Sequence, residues 1–339
     1  MRLQSVVAWI LIFCGGFVGR LQANGPRVEC LSREEAAVAI TDDAAEPYFC
    51  RLRTLEIGAK TGALPASASL DAAQECARRH YSAHVLDFND EERTLISTTV
   101  ASLVAAVSQE APLLTRMPWR FLKVDGTVEG GLPHTRGSVI ILSSPTLARY
   151  VGQGAKEGAF TELLLHEQIH VVQRMHPGIF DGIYTRHWGF SKAKRIAEHP
   201  WLVEHQLLNP DGTDLHWVVE IKEGQVHRWM WPLLLLRKPE DSGVAPQMPS
   251  CFRQLSLTLD KDPDGAFKVK EDEYGLPDFI DLYKDEGYLS RFGGWRHNLY
   301  HPHEAAASIF SRVLLMGSAG QEAIKGQGEL LKSIRAALK

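Results

Sequence analysis

The five residues His166-Glu167-Gln168-Ile169-His170 carry the densest chemical information in the chain. On a helix, positions i and i+4 fall one turn apart on one face, so both imidazoles can reach a single zinc ion. Glu167 then sits beside the pair, angled to hold a water rather than the metal. Zinc lowers the pKa of such a water, and a neighbouring carboxylate takes its proton as the oxygen attacks a carbonyl. Composition alone predicts roughly 0.04 HExxH matches in a chain of this make-up. The flanking residues predict a helix over 158–176, stopped by Pro177-Gly178. Leu165, Ile169, Val172 and Met175 would form its buried stripe. Leu163, His166, Glu167, His170 and Gln173 or Arg174 would form the other face.

A catalytic zinc takes a third protein ligand and keeps one position open. His176 stands at the third-ligand spacing of HExxHxxGxxH. The glycine that pattern needs for its sharp turn is Gln173 here, which favours continued helix. His176 would then lie about 9 Å along the axis from His170. A second option is the segment with Glu198-His199 and Glu204-His205, which has suitable chemistry but a loop-like, proline-bearing context. The preferred ligand is Glu304, in Tyr300-His301-Pro302-His303-Glu304. Pro302 suits the first turn of a helix, and Ala305, Ala306 and Ala307 would let that helix approach the HExxH helix closely.

An HExxH helix followed by a glutamate on a later helix resembles the gluzincin class of zinc metallopeptidases. The segment around Glu304 also resembles stretches written HPEExxADNF in bacterial sequences read as zinc peptidases. The resemblance rests on about 15 residues near each motif, extended by the Trp-Gly-Phe at 188–190, and nothing before about Pro118 takes part in it. It implies an α+β, zincin-like fold, a small mixed sheet with an HExxH helix and a later glutamate-bearing helix. It implies one Zn²⁺ per chain on His166, His170 and Glu304, with Glu167 as general base. It also implies that the β-rich segment 138–143 is an edge strand that binds extended peptide. Two features depart from the pattern. Ala307 and Ser308 stand where the family tends to place an acid, and 133 residues separate His170 from Glu304. Metallopeptidases often stabilise the oxyanion with a Tyr or His; Tyr300 is the first candidate, with His301, His297 and Tyr288 nearby.

A rival motif is the calcium-loop formula DxDxDGx5E, matched by Asp260, Asp262, Asp264, Gly265 and Glu271. Its flanks alternate like strands, Pro263-Asp264-Gly265 is turn chemistry, and Lys268 falls where an oxygen ligand is usual. A hairpin is therefore expected rather than a Ca²⁺ site. Asn209-Pro210-Asp211-Gly212 reads as a turn before a strand, and Trp229-Met230-Trp231 as core or sheet surface.

The elements that must position these residues follow from periodicity. Helices are expected near 33–40, 70–84 and 90–109, then strands at 119–124 and 138–143 ahead of the motif helix. Strands at 217–221, 226–236, 255–259 and 267–270 precede helices near 303–316 and 321–338. Residues 24–67 otherwise look irregular. The domain expectation is a signal peptide at 1–23, a mainly helical region at 24–115 and a zincin-like metallopeptidase domain at 116–339.

Of 339 residues, 45% are hydrophobic and 23% charged, which excludes general disorder. Net charge is −4. Residues 1–23 hold Arg2 and Arg20 and no acid, so the remaining 316 carry 35 basic and 41 acidic residues, a net of −6. With no basic stripe, nucleic acid is excluded as a partner. Arg2, the apolar stretch 6–18 and Leu21-Gln22-Ala23 read as a secretory signal, too short for a comfortable membrane span. Cys14 lacks the small residues expected before a lipidated cysteine. Cys30, Cys50, Cys76 and Cys251 can form two disulfides in an exported chain. The sequence thus predicts a secreted or periplasmic zinc-dependent hydrolase acting on peptide or protein, N-terminally anchored if the signal is retained. The alternative is an exported binding protein that keeps a zinc or pseudo-zinc site without catalysis.

Overall fold

Parallel strands with apolar residues on both faces need cover on both sides, and the first sheet is built that way. The structure is a computed structural model and describes residues 27–339 except 45, 67–68, 152–156, 239–242 and 323–326. The expected signal, with Cys14, lies outside the described residues. Strands β1 (Val28–Cys30), β2 (Val85–Leu86), β3 (Trp119–Val124), β4 (His134–Arg136) and β5 (Val139–Ser143) form a mixed sheet in the order β1-β3-β5-β4, with β2 also on β3. β3 runs parallel to β1 and β5, Phe121 facing Cys30 and Ile140; β2 and β4 run antiparallel. Every residue of β5 is buried, the mark of an interior strand. The expected edge position for 138–143 is therefore wrong: β4 covers that side.

The second sheet is antiparallel. β6 (Phe190–Lys192), β7 (Trp217–Glu223), β8 (Val226–Leu236), β9 (Phe252–Lys261) and β10 (Phe267–Val269) follow in the order β10-β9-β8-β7-β6, with β11 (Phe279–Asp281) also on β9. The expected hairpin at the calcium-like motif forms between β9 and β10. Asp262 N–H donates to Ala266 O at 2.8 Å, and Gly265 takes φ +85°, which only glycine adopts without strain. Asp260 is paired across the ladder with Lys268, and Glu271 faces His199 at 3.3 Å.

The helix Glu157–Met175 runs through the main core. Leu165, Ile169 and Val172 are fully buried as the stripe required, but so are Leu164, Gln168, His170 and Val171. Met175, expected in that stripe, is 55% exposed because the helix ends there at the surface. Pro177 stops it and also starts the helix Pro177–Trp188, since a proline at the first helical position loses no needed N–H. That second helix was not read from the sequence. Nor was Thr54–Thr61, whose inward residues include Glu56 and Lys60, charges that hide an apolar period.

The boundary expected between 115 and 116 crosses a sheet and a core. β1 and β2 pair with β3, and Ile96, Val100 and Leu103 of the helix Asp90–Val107 share a core with Leu164 and Leu165. Cys30, Cys50, Cys76 and Cys251 are free thiols on separate elements, so the two expected disulfides are not formed. No helix of the described residues is long and apolar enough to cross a membrane.

Candidate metal centre

The i, i+4 spacing on an unbroken helix sets the His166 and His170 rings 4.7 Å apart, with their Nε2 atoms 3.1 Å from one another. The helix Pro302–Glu322 brings the third group. Ala305, Ala306 and Ala307 are fully buried, so it packs tightly enough for Glu304, in its first turn, to reach the pair. Glu304 Oε2 lies 3.5 Å from His166 Nε2, and Oε1 lies 3.6 Å from His170 Nε2. Tetrahedral zinc with bonds of 2.0–2.1 Å has ligand–ligand edges of about 3.3 Å. His166, His170 and Glu304 thus form a compact triangle of side chains whose nearest approaches, 3.1, 3.5 and 3.6 Å, are of the order of such an edge, with Glu304 turning a different oxygen to each imidazole. Among the described residues, this is the one group of three or more His, Cys, Asp or Glu side chains that could hold a metal.

The other third-ligand candidates go elsewhere. The helix continues straight to Met175, which carries His176 past the site. Glu198 pairs with Arg53, His199 with Glu271, Glu204 with Lys238, and His205 Nδ1 with the Trp201 carbonyl.

Hydrogen bonds around the triangle prepare it for a cation. Gln173 Nε2 donates to the Tyr184 hydroxyl and to the His303 carbonyl, each at 2.9 Å. Its Oε1 must therefore face His170 Nδ1, 2.7 Å away, and accept a proton from it. That fixes the tautomer and leaves the Nε2 lone pair of His170 free. Burial, chiefly, pushes the His170 pKa down to about 3, so the imidazole is the neutral, ligating form. Glu304 is buried, which alone would raise its pKa. The two imidazoles and the amide of Asn209 outweigh this and hold it below the ordinary carboxyl value.

Asn209 is the support that the sequence did not reveal. Its Nδ2 donates to Glu304 Oε1 at 2.6 Å and to the Tyr300 hydroxyl at 3.0 Å, while its Oδ1 accepts from Asp211 N–H at 3.0 Å. The Asn209-Pro210-Asp211-Gly212 turn can lie this close to the Glu304 helix because Gly212 has no side chain. A Cβ there would sit 2.6 Å from His303 Nδ1. Arg174 clamps the same turn by donating to the Pro210 carbonyl and, at 2.5 Å, to the Thr135 hydroxyl. The sequence did carry a signal, an Asn-Pro-Asp-Gly turn, but its partner lies 95 residues away.

Glu167 is 3% exposed, and its Oε2 has no hydrogen-bond partner among the described residues. Burial first, then the charges of Asp211 and Glu304, push its carboxyl well above the ordinary value. Asp211 is pushed up to about 6 by burial and by Glu304. Glu167, His166, Glu304, Asn209, Asp211 and Tyr300 all line a cavity of about 790 Å³. Of the oxyanion candidates, Tyr300 and His297 reach that cavity. His301 is bonded to the Asp214 carbonyl at 2.8 Å, and the Tyr288 hydroxyl donates to the Leu299 carbonyl in the core. The Tyr300 hydroxyl lies against the Glu304 carboxylate and Asn209, so it supports the ligand in this state.

Gln173→Leu and Asn209→Leu are each expected to weaken zinc binding about 10- to 100-fold, the usual effect of losing a group that orients a ligand. Competition titration against a chromogenic chelator would measure this, and unchanged affinity in both would mean that neither residue supports the site. No family model, no curated protein and no solved structure matches the chain.

Proposed function

We propose that the chain is an exported zinc-dependent peptidase of gluzincin type with a zincin-like catalytic core. His166, His170 and Glu304 hold one zinc ion, and Glu167 moves the protons. The observation that carries this proposal is the cluster of two imidazole nitrogens 3.1 Å apart with the two oxygens of one buried carboxylate 3.5 and 3.6 Å from them. It opens on a cavity that a buried, unpaired carboxylate also lines. Three protein ligands beside a cavity suit a catalytic ion better than a structural one, which is usually closed by four.

Zinc bound there would polarise a substrate carbonyl and acidify a water. The protein's own part is positioning and proton transfer. Gln173 holds His170, and Asn209 with Tyr300 holds Glu304. Glu167 takes a proton from the attacking water and returns it to the amide nitrogen as the C–N bond breaks, so the amine leaves neutral. Burial raises the proton affinity of Glu167, which suits a group that must both accept and deliver.

The purified chain is expected to bind one zinc per molecule and to cleave a mixed peptide substrate. A strong chelator should abolish cleavage, and added zinc should restore it. Cleavage that persists after the metal has been removed, or a chain that binds no zinc, would overturn the proposal.

A further inference from the structure

Two acceptor atoms on buried residues of the cavity wall have no hydrogen-bond partner among the described residues. Asp211 is 8% exposed and His134 is 2% exposed, and both line the cavity that Glu167 and Glu304 share. Asp211 is rigidly held. Its Oδ1 accepts from the Thr135 backbone N–H at 2.6 Å and the Thr135 hydroxyl at 2.7 Å, and its own N–H is bonded to Asn209. Its Oδ2 receives no hydrogen bond from the described residues. His134 Nδ1 lies 2.9 Å from the Leu132 carbonyl, which can only accept, so Nδ1 carries the proton. Its Nε2 therefore presents a lone pair, and no donor among the described residues meets it. His134 precedes Thr135 in β4, and Thr135 holds Asp211, so one strand fixes both acceptors.

The nearby cations are already committed. Lys60 Nζ donates to both oxygens of Glu129 and to the Leu208 carbonyl. Arg174 donates to Glu46, Thr135 and Pro210. A buried carboxylate to which the neighbouring cations make no hydrogen bond is costly. A carboxylate oxygen and an imidazole nitrogen, both bare, match a group with several N–H donors and a positive charge.

We propose that Asp211 and His134 form a subsite for a primary ammonium group of the substrate, supplied by the free α-amine of a peptide or by a lysine side chain. This rests on the peptidase reading and narrows its substrate class. Charge-assisted hydrogen bonds of this kind should favour the cationic ligand by about 10- to 100-fold.

The test is calorimetric binding of leucinamide, N-acetyl-lysinamide and N-acetyl-leucinamide to the zinc-loaded full chain. At least one of the two amines should bind 10- to 100-fold more tightly than N-acetyl-leucinamide, and which one does so identifies the source of the ammonium. Asp211→Asn keeps an oxygen for Thr135 and should erase the preference with zinc content unchanged. His134→Leu leaves every bond of Asp211 in place and should reduce it, which keeps the test decisive if the first variant fails to fold. Equal binding of all three compounds, binding of none, or a preference intact in both variants would overturn the subsite. Amine preference without peptide cleavage overturns the peptidase reading and leaves the ammonium site standing; cleavage without amine preference does the reverse.

Discussion

Glu167→Gln is expected to lower peptide hydrolysis by about 10²- to 10⁴-fold, the usual contribution of a positioned general base, with zinc content at the wild-type level. The substitution preserves shape and removes only the ability to take a proton. The fold loses little, because Glu167 Oε2 makes no hydrogen bond with the described residues. The neutral amide also relieves repulsion from Asp211 and Glu304, which raises the energy of the ionised carboxylate. Thermal stability should therefore match or exceed that of the wild type, the signature of a residue kept for chemistry rather than for folding. Metal analysis, a melting curve and a peptide-cleavage assay on the same sample check all three expectations. A zinc-loaded variant with undiminished cleavage would remove Glu167 from the mechanism.

Glu129→Gln is expected to destabilise the fold by about 3–5 kcal/mol, the cost of breaking a buried ion pair by removing one partner, since Lys60 keeps only the Glu56 carboxylate, at 3.8 Å. Lys60 Nζ lies 3.1 and 2.9 Å from the two Glu129 oxygens, and both residues are almost completely buried. The hydroxyls of Tyr81, at 2.5 Å, and of Tyr48 donate to the same carboxylate. The surrounding structure even holds Glu129 at φ 51°, a left-handed conformation that costs a non-glycine residue about 1 kcal/mol or more. Burial alone would raise its pKa, but Lys60, His134 and the two tyrosines outweigh it, so the carboxyl titrates below its ordinary 4.5. A depressed carboxyl stabilises the fold above its unfolded value and loses that contribution as pH falls through the folded one. Wild-type stability should therefore fall below about pH 4.5 with a contribution that the variant lacks. Urea unfolding at neutral and acid pH measures both effects. A variant within 1 kcal/mol of the wild type at pH 7 would show that the network is dispensable.

Local spacing determined one half of the candidate metal site. The helical period alone put His166 and His170 on one face with Glu167 beside them, and apolar runs gave β3 and β8 to the residue. A proline followed by small residues marked the helix that carries Glu304. These are short-range signals, written within a few turns of chain. Where charge replaced apolar residues on an inward face, as in Thr54–Thr61, the period vanished and so did the helix from view. Where every residue of a strand was apolar, as in β5, the sequence offered a strand but not its place in the sheet.

Only the tertiary structure decided that Glu304 joins the two imidazoles, because bringing it to His170 across 133 intervening residues depends on how two helices pack, and no local period encodes that. The same holds for Asn209, which sequence marks as a turn and folding sets against Glu304. It holds too for Gln173, whose side chain fixes the tautomer of His170 because the Tyr184 and His303 oxygens happen to meet its amide. Residue identity supplies donors and acceptors; which of them meet is settled by packing.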